Sequence, residues 1–150
     1  MIHGLDTGFL VAAEVMEHAE HTDARATLAR LLGAGDLIAV APQVLAEFIH
    51  IVTDPRRLTH PLDMAAAGQL AEQWWTASDV VQVFPDDAAV RQFLSWLKQF
   101  SLGCKRLLDT LLAATYEQAG IQSLLTTNPG DFGVFGVFGC IMPKTTVANP

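Results

Sequence analysis

The sequence has few cysteines and no long apolar runs. Its two cysteines, Cys104 and Cys140, lack partners at the spacing of a CxxC pair or a metal-binding motif. We therefore expect reduced thiols, as in a cytoplasmic protein. No apolar run reaches the roughly 20 residues that cross a bilayer. The start of the chain also lacks the basic and apolar segments of a signal peptide, so neither a membrane span nor secretion is predicted.

Basic residues are scarce as well. Nine lysines and arginines face sixteen acidic residues, which gives a net charge of −7. That charge has the wrong sign for a protein that coats nucleic acid with a broad basic face. Any contact with nucleic acid is therefore expected to be local or bridged by cations. A metal site is one use for surplus carboxylates, because a bound cation neutralises them.

Apolar residues, by contrast, are plentiful and regularly placed. Of 150 residues, 51% are hydrophobic and 17% are charged, which favours one folded domain over disorder. Short apolar strands are predicted at 2–5, 37–40, 80–84, 121–126 and 137–142. Helical periodicity separates them, at 9–19, 23–32, from residue 42, 62–75, 86–100 and 105–119. This alternation predicts an α/β/α sandwich around a mainly parallel sheet, formed by residues 1–143 and followed by a tail at 144–150.

The chain is organised around the segment that contains Asp6. Asp6 follows the first strand, and Gly8 is expected to let the backbone turn there. In an open parallel sheet, ligands bind outside the carboxyl ends of the strands, so Asp6 is a candidate ligand-binding residue. Helix capping is the simpler alternative. Asp-Thr-Gly also marks an aspartic protease half-site, but that fold is nearly all strand and this chain is rich in helical periodicity.

Two further carboxylates lie on predicted helices. Glu47 falls on the shoulder of an apolar stripe, although a boundary glutamate facing solvent is an alternative. Asp109 lies in the first turns of the helix 105–119, where pairing with Lys105 or Arg106 would also explain it. The predicted core side of that helix comprises Leu107, Leu108, Leu111, Leu112 and Thr115.

A fourth polar group follows the strand 121–126, where Asn128 and Asp131 lie in a turn. Ordinary turn chemistry would account for both residues. Four acidic or amide positions at one sheet edge are nevertheless hard to explain structurally, because like charges repel. A divalent cation relieves that repulsion, and Mg²⁺ and Mn²⁺ prefer oxygen ligands. A zinc site at His18 and His21 is a separate alternative, and a solvated helix face is the simpler reading of that pair.

Three segments carry a resemblance to a known family. In order, they are LDTGFLVAA, VLAEFIHIVTDPRR and KRLLDTLLAATYEQAGIQSLLTTNPGDF. With these spacings the chain resembles a PIN domain, and more narrowly the VapC-like toxins of toxin–antitoxin modules, from Met1 to about Pro143. The resemblance implies a Mg²⁺-dependent endoribonuclease with Asp6, Glu47, Asp109 and Asp131 as catalytic residues. Asn128 stands where many members have an aspartate.

The resemblance also implies ligands and partners. Mg²⁺, or Mn²⁺, would be held by Asp6, Asp109, Glu47 and Asn128. Candidate contacts to the RNA substrate are Thr126, Asn128, Lys105, Arg106 and Arg56. A homodimer, a cognate antitoxin protein and a cytoplasmic location are expected. The rival interpretation is a PIN-like scaffold that has lost catalysis, whereas a phosphatase would need a second aspartate where Gly8 stands.

Overall fold

The computed structural model describes residues 1–143. Over that range five strands form one sheet in the order β3-β2-β1-β4-β5, and every neighbouring pair is parallel. The strands are β1 Ile2–Leu5, β2 Leu37–Val40, β3 Val80–Gln82, β4 Ser123–Leu125 and β5 Gly139–Ile141. The predicted α/β architecture is therefore confirmed, with a sheet that is wholly parallel over these residues.

Seven α-helices connect the strands in the described range. They are α1 Thr7–Glu14, α2 His21–Gly33, α3 Pro42–Val52, α4 Met64–Thr76, α5 Asp87–Gln99, α6 Leu107–Gln118 and α7 Gly130–Gly133. A 3-10 turn, Cys104–Arg106, leads into α6. The helix predicted at 9–19 is shorter, because Val15 adopts an extended conformation that ends it. α7 occupies the segment predicted as a turn.

The order of the strands places the helices on two faces. From β1 the chain moves outward to β2 and β3, and then returns past β1 to β4 and β5. Right-handed crossovers running in opposite directions put their helices on opposite faces of a sheet. Consistently, α1 packs on α2 and α3, while α5 and α7 pack on α6. β1 and β4 are neighbours at the centre of the sheet, and the connections on either side of them run in opposite directions. The gap between the carboxyl ends of these two strands is the switch point of the sheet.

The buried face of α6 differs from the prediction. Leu107 and Leu108 were expected in the core, but they are 41% and 55% exposed. The buried residues of this helix are Thr110, Leu112, Ala113, Ala114, Thr115 and Tyr116. Small alanines let the helix approach the sheet closely, so the packed face is rotated away from the two leucines. Across residues 1–143, the structure contains no helix that is long and apolar enough to cross a membrane.

Candidate acidic site at the sheet edge

Asp6 lies at the switch point of the sheet. It is the first residue after β1, it is 9% exposed, and its amide donates to the Leu125 carbonyl at 3.0 Å. Thr126 follows β4 and is fully buried, and its Oγ1 donates to Asp6 Oδ2 at 2.8 Å. The backbone amide of Asn128 donates in turn to Thr126 Oγ1 at 3.0 Å. Asp6 is therefore held by the two strands between which a crevice opens in this topology.

Glu47 reaches the same edge from α3. Its Oε2 accepts a hydrogen bond of 3.2 Å from Oγ1 of Thr7, the first residue of α1 and the neighbour of Asp6. Thr7 itself is buried. The sequence reasoning missed this threonine, although its place directly after Asp6 was a usable signal. The hydrogen bond between Thr7 and Glu47 holds Glu47 near Asp6, where the charge of Glu47 raises the pKa of Asp6.

Asp109 and the turn after β4 complete the acidic side of the site. Asp109 lies in the first turn of α6 and is 29% exposed, with Arg106 Nε 3.8 Å from its Oδ2. The guanidinium of Arg106 also donates to the backbone carbonyl of Asp131. The side chain of Asn128 donates to Asp131 Oδ2 at 2.9 Å. Arg106 thus links α6 to the segment after β4, which carries Asn128 and continues into α7 with Asp131.

The carboxylates influence one another's protonation. Burial raises the pKa of Asp6 from 3.8 to about 6, the charges of Asp109 and Glu47 add to the rise, and the Thr126 hydrogen bond opposes it. Burial likewise raises the pKa of Asp109 from 3.8 to about 6, helped by Asp131 and Glu47 and opposed by Arg106. The pKa of Glu47 is raised, mainly by burial. Crowded acids of this kind favour either a proton or a cation.

Two of the predicted substrate contacts lie differently from the rest. Lys105 is exposed on the 3-10 turn just before α6. Arg56 is 86% exposed, and its Nε lies 3.2 Å from Asp54 Oδ1 on the connector between α3 and α4. The structure therefore brings Thr126, Asn128 and Arg106 to the acidic edge, while Arg56 is paired with a neighbour in its own loop.

Gly8 has a different role from the one expected. It lies in the first turn of α1, and its φ is outside the left-handed region, so it makes no turn that demands glycine. A Cβ at this position would lie 2.7 Å from Thr127 Oγ1, which is closer than real Cβ atoms come. The absent side chain instead lets α1 pack against the segment after β4.

The zinc alternative is not supported by the local contacts. Nδ1 of His21 lies 2.9 Å from the Ala12 carbonyl, and Nδ1 of His18 accepts a 3.0 Å hydrogen bond from the Glu20 amide. Each imidazole is thus engaged by nearby backbone. Within residues 1–143, no three His, Cys, Asp or Glu side chains lie close enough together to form a ready metal cage.

The acidic edge nevertheless suits a hard cation. Its donors are carboxylate, amide and hydroxyl oxygens, which Mg²⁺ and Mn²⁺ prefer. Mg²⁺ commonly keeps several waters and takes only one or two carboxylates, so a complete protein cage is not required. Thr126 donates to Oδ2 of Asp6, which leaves Oδ1 of the same carboxylate as a candidate metal ligand. The raised pKa of Asp6 and of Asp109 shows that their ionised forms are costly in the folded protein, and a bound cation would offset that cost.

Fold and site together define an α/β protein with an oxygen-rich acidic cluster at the switch point of a parallel sheet. The sequence profile of the PIN domain family matches residues 5–133. The match spans most of the chain and includes all the acids of the cluster. This chain therefore belongs to the PIN domain family.

Comparison with individual proteins agrees with that assignment. Ribonuclease VapC24 of Mycobacterium tuberculosis is 26% identical over 139 residues, which cover 88% of this chain and 90% of VapC24. The crystal structure of M. tuberculosis VapC20, a sarcin–ricin loop cleaving toxin, superposes with a TM-score of 0.70 at 22% identity, covering 91% and 96% of the two chains. VapBC2 from Rickettsia felis, bound to a DNA fragment from its promoter, gives a TM-score of 0.62 at 18% identity, covering 95% and 98%.

Proposed function

We propose that this protein is a metal-dependent endoribonuclease, the toxin of a toxin–antitoxin pair, and that it hydrolyses RNA phosphodiester bonds in the cytoplasm. The observation that carries the proposal is the convergence of Asp6, Glu47 and Asp109 at one sheet edge, where burial raises the pKa of all three and neighbouring carboxylates raise the pKa of Asp6 and Asp109 further. Membership of the PIN domain family and similarity to a named ribonuclease support the assignment.

The residues of the site would divide the work as follows. Asp6 and Asp109 would bind Mg²⁺ or Mn²⁺ directly, and Glu47 would bind the same ion or orient its water. When bound, the ion lowers the pKa of a water and offsets charge on the phosphate. Asn128 and Asp131 would complete the site from the turn after β4. Two hydroxyls already hold the carboxylates in place, Thr126 on Asp6 and Thr7 on Glu47.

The RNA would approach over the same edge. Lys105 is exposed one turn before Asp109 and is free to contact phosphate. Arg106 is a cation close to the acids, since its guanidinium contacts both Asp109 and the backbone carbonyl of Asp131. Asn128 would face the substrate beside the metal ligands, whereas Thr126 is fully buried and bonded to Asp6, so it would support the site from beneath and not contact RNA directly. Arg56 would contact RNA only from the flank, because it is paired with Asp54.

Partners follow from the same assignment. Solved structures of similar fold include VapBC-1 from nontypeable Haemophilus influenzae and a toxin–antitoxin complex from Klebsiella pneumoniae, at 16% and 15% identity and with TM-scores of 0.65 and 0.63. We propose a cognate antitoxin whose basic segment covers the acidic edge, which the net charge of −7 favours. A homodimer belongs to the same proposal. Residues 1–143 would form the nuclease domain, and the tail at 144–150 lies outside the described residues.

The decisive experiment compares RNA cleavage by the wild type, Asp109→Asn and Asp87→Asn, with Mg²⁺, with Mn²⁺ and with EDTA. A set of tRNAs and structured RNAs is offered to each protein. Asp87 is the matched control, because it is 80% exposed on α5 and its Oδ2 lies 2.7 Å from Arg91 Nε. We expect metal-dependent cleavage by the wild type and the control, and a loss of about 100-fold or more in Asp109→Asn.

Mn²⁺ binding measured by calorimetry on the same samples separates this proposal from its rival. Binding without cleavage would keep the metal site and point to another RNA substrate. A wild type that neither binds Mn²⁺ nor cleaves RNA would refute the nuclease and favour a scaffold that has lost catalysis. The scaffold remains an alternative because Asn128 is neutral and its side-chain amide donates a hydrogen bond to Asp131.

A further inference from the structure

Tyr116 is a wholly buried polar residue that the proposed chemistry does not use. It lies in α6, about two turns after Asp109, and its side chain is 0% exposed. Its hydroxyl donates to the Leu5 carbonyl at 2.6 Å, accepts from the Leu5 amide at 3.2 Å and lies 3.1 Å from the Ala39 carbonyl. One side chain of α6 therefore contacts the backbone of both β1 and β2.

The hydroxyl sits where β1 and β2 stop pairing. Their register ends at Gly4 and Ala39, whereas β1 stays paired with β4 through Leu5 and Leu125. Beyond Gly4, the Leu5 amide would lack a partner on the β2 side, and a buried unpaired amide is costly. Tyr116 supplies that partner, at the residue immediately before Asp6.

Gly4 provides the space for this arrangement. A Cβ at Gly4 would lie 2.8 Å from Tyr116 Cδ2, a distance that requires the ring to move. Glycine in a central strand weakens the strand, and it often marks a site where another group approaches closely. The group that approaches closely here is the tyrosine ring, so Gly4 and Tyr116 form one packed unit.

We propose that Tyr116 is the positioning residue that sets the spacing of the three carboxylates. Its helix carries Asp109, its hydrogen bonds hold the strand that ends at Asp6, and its contact with Ala39 fixes the end of β2 before α3, which carries Glu47. This inference deepens the proposed function and rests on it. Metal ligands must be held to within about 0.5 Å, and the contacts of Tyr116 join α6 directly to β1 and to β2, the strand that leads into α3.

The test uses Tyr116→Phe, which removes only the hydroxyl, and Thr115→Val as the matched control. Thr115 is the neighbouring buried residue on α6, and its Oγ1 donates at 2.7 Å to Leu111 within the same helix. Both variants thus lose one buried hydroxyl, but only the first loses contact with the strands. Gly4→Ala is a second perturbation, which keeps the hydroxyl and displaces the ring.

Hydrogen exchange is measured first, without metal. In Tyr116→Phe, the Leu5 amide should exchange about five- to tenfold faster, while Thr115→Val matches the wild type there. Mn²⁺ calorimetry and cleavage kinetics follow on folded protein. Tyr116→Phe and Gly4→Ala should weaken Mn²⁺ binding about tenfold and lower kcat more than they raise KM. Thr115→Val should stay within about twofold of the wild type.

Two results would overturn the inference. The first is unchanged exchange at Leu5 in Tyr116→Phe, since the hydroxyl would then not hold β1. The second is weakening of Mn²⁺ binding that is no greater than in Thr115→Val, because the effect would then be general destabilisation. A wild type that binds no Mn²⁺ would instead refute the proposed function, and the exchange data would still decide whether Tyr116 holds β1.

Discussion

Replacing Asp6 with asparagine should make the metal-free protein more stable at neutral pH. Asp6 is buried and stands beside two other carboxylates, so its ionised form is costly in the folded state. Asparagine has nearly the same shape and no charge. Its side-chain oxygen can still accept the hydrogen bond that Thr126 donates to Asp6 at 2.8 Å. The change therefore removes an electrostatic cost and keeps the local contact.

The size of the effect follows from the pKa of Asp6, which rises from 3.8 to about 6 on folding. At 1.36 kcal/mol for each pKa unit, the ionised side chain costs about 3 kcal/mol above pH 6. As the pH rises, the Asp6 carboxyl loses its proton at a lower pH in the unfolded chain than in the folded protein. The protonated Asp6 therefore contributes fully to stability below about pH 4, and this contribution is lost as the pH rises through about 6. We expect a gain of about 1 to 3 kcal/mol for Asp6→Asn at pH 7.5, and none near pH 4.

Urea unfolding of both proteins between pH 4 and 8, in EDTA, measures this difference. Asp87→Asn serves as the surface control, and its stability should follow that of the wild type. Saturating Mn²⁺ should stabilise the wild type and have little effect on Asp6→Asn, because only a protein that binds the ion gains from it. If Asp6→Asn is less stable than the wild type at every pH, the carboxylate is a structural group and the electrostatic reasoning is wrong.

Two further predictions concern the same edge. Gly8→Ala should lower the melting temperature, because the new Cβ would lie 2.7 Å from Thr127 Oγ1. Adding Thr127→Ala should restore the melting temperature, and a double variant as unstable as Gly8→Ala alone would argue against this contact. Mn²⁺ affinity should fall steeply as the pH drops through about 6, where Asp6 and Asp109 take up protons. Calorimetry at pH 5 and 7.5 tests this prediction, and equal affinity at both pH values would mean that these acids are not the ligands.

The order and type of the main elements could be predicted from local pattern. The apolar runs at Leu37–Val40 and near Leu124 are strands, and the periodic segment after Pro42 is a helix. The position of Asp6 at a strand end also followed from sequence. The buried face of α6 did not, because Leu107 and Leu108 are as apolar as the residues that the helix buries. Periodicity alone cannot choose between two apolar faces when the close approach of small residues decides the packing.

The sequence by itself determined the chemistry available to this protein, which is many oxygen donors and few cations. It also determined where these groups lie along the helices and strands, because those elements follow from local hydrophobic periodicity. Only the tertiary structure decided which groups meet. Thr7 contacts Glu47 across 40 residues, Thr126 contacts Asp6 across 120 and Tyr116 contacts Leu5 across 111. Such contacts depend on strand order and on the depth at which α6 packs, and these are set by the burial of the whole core.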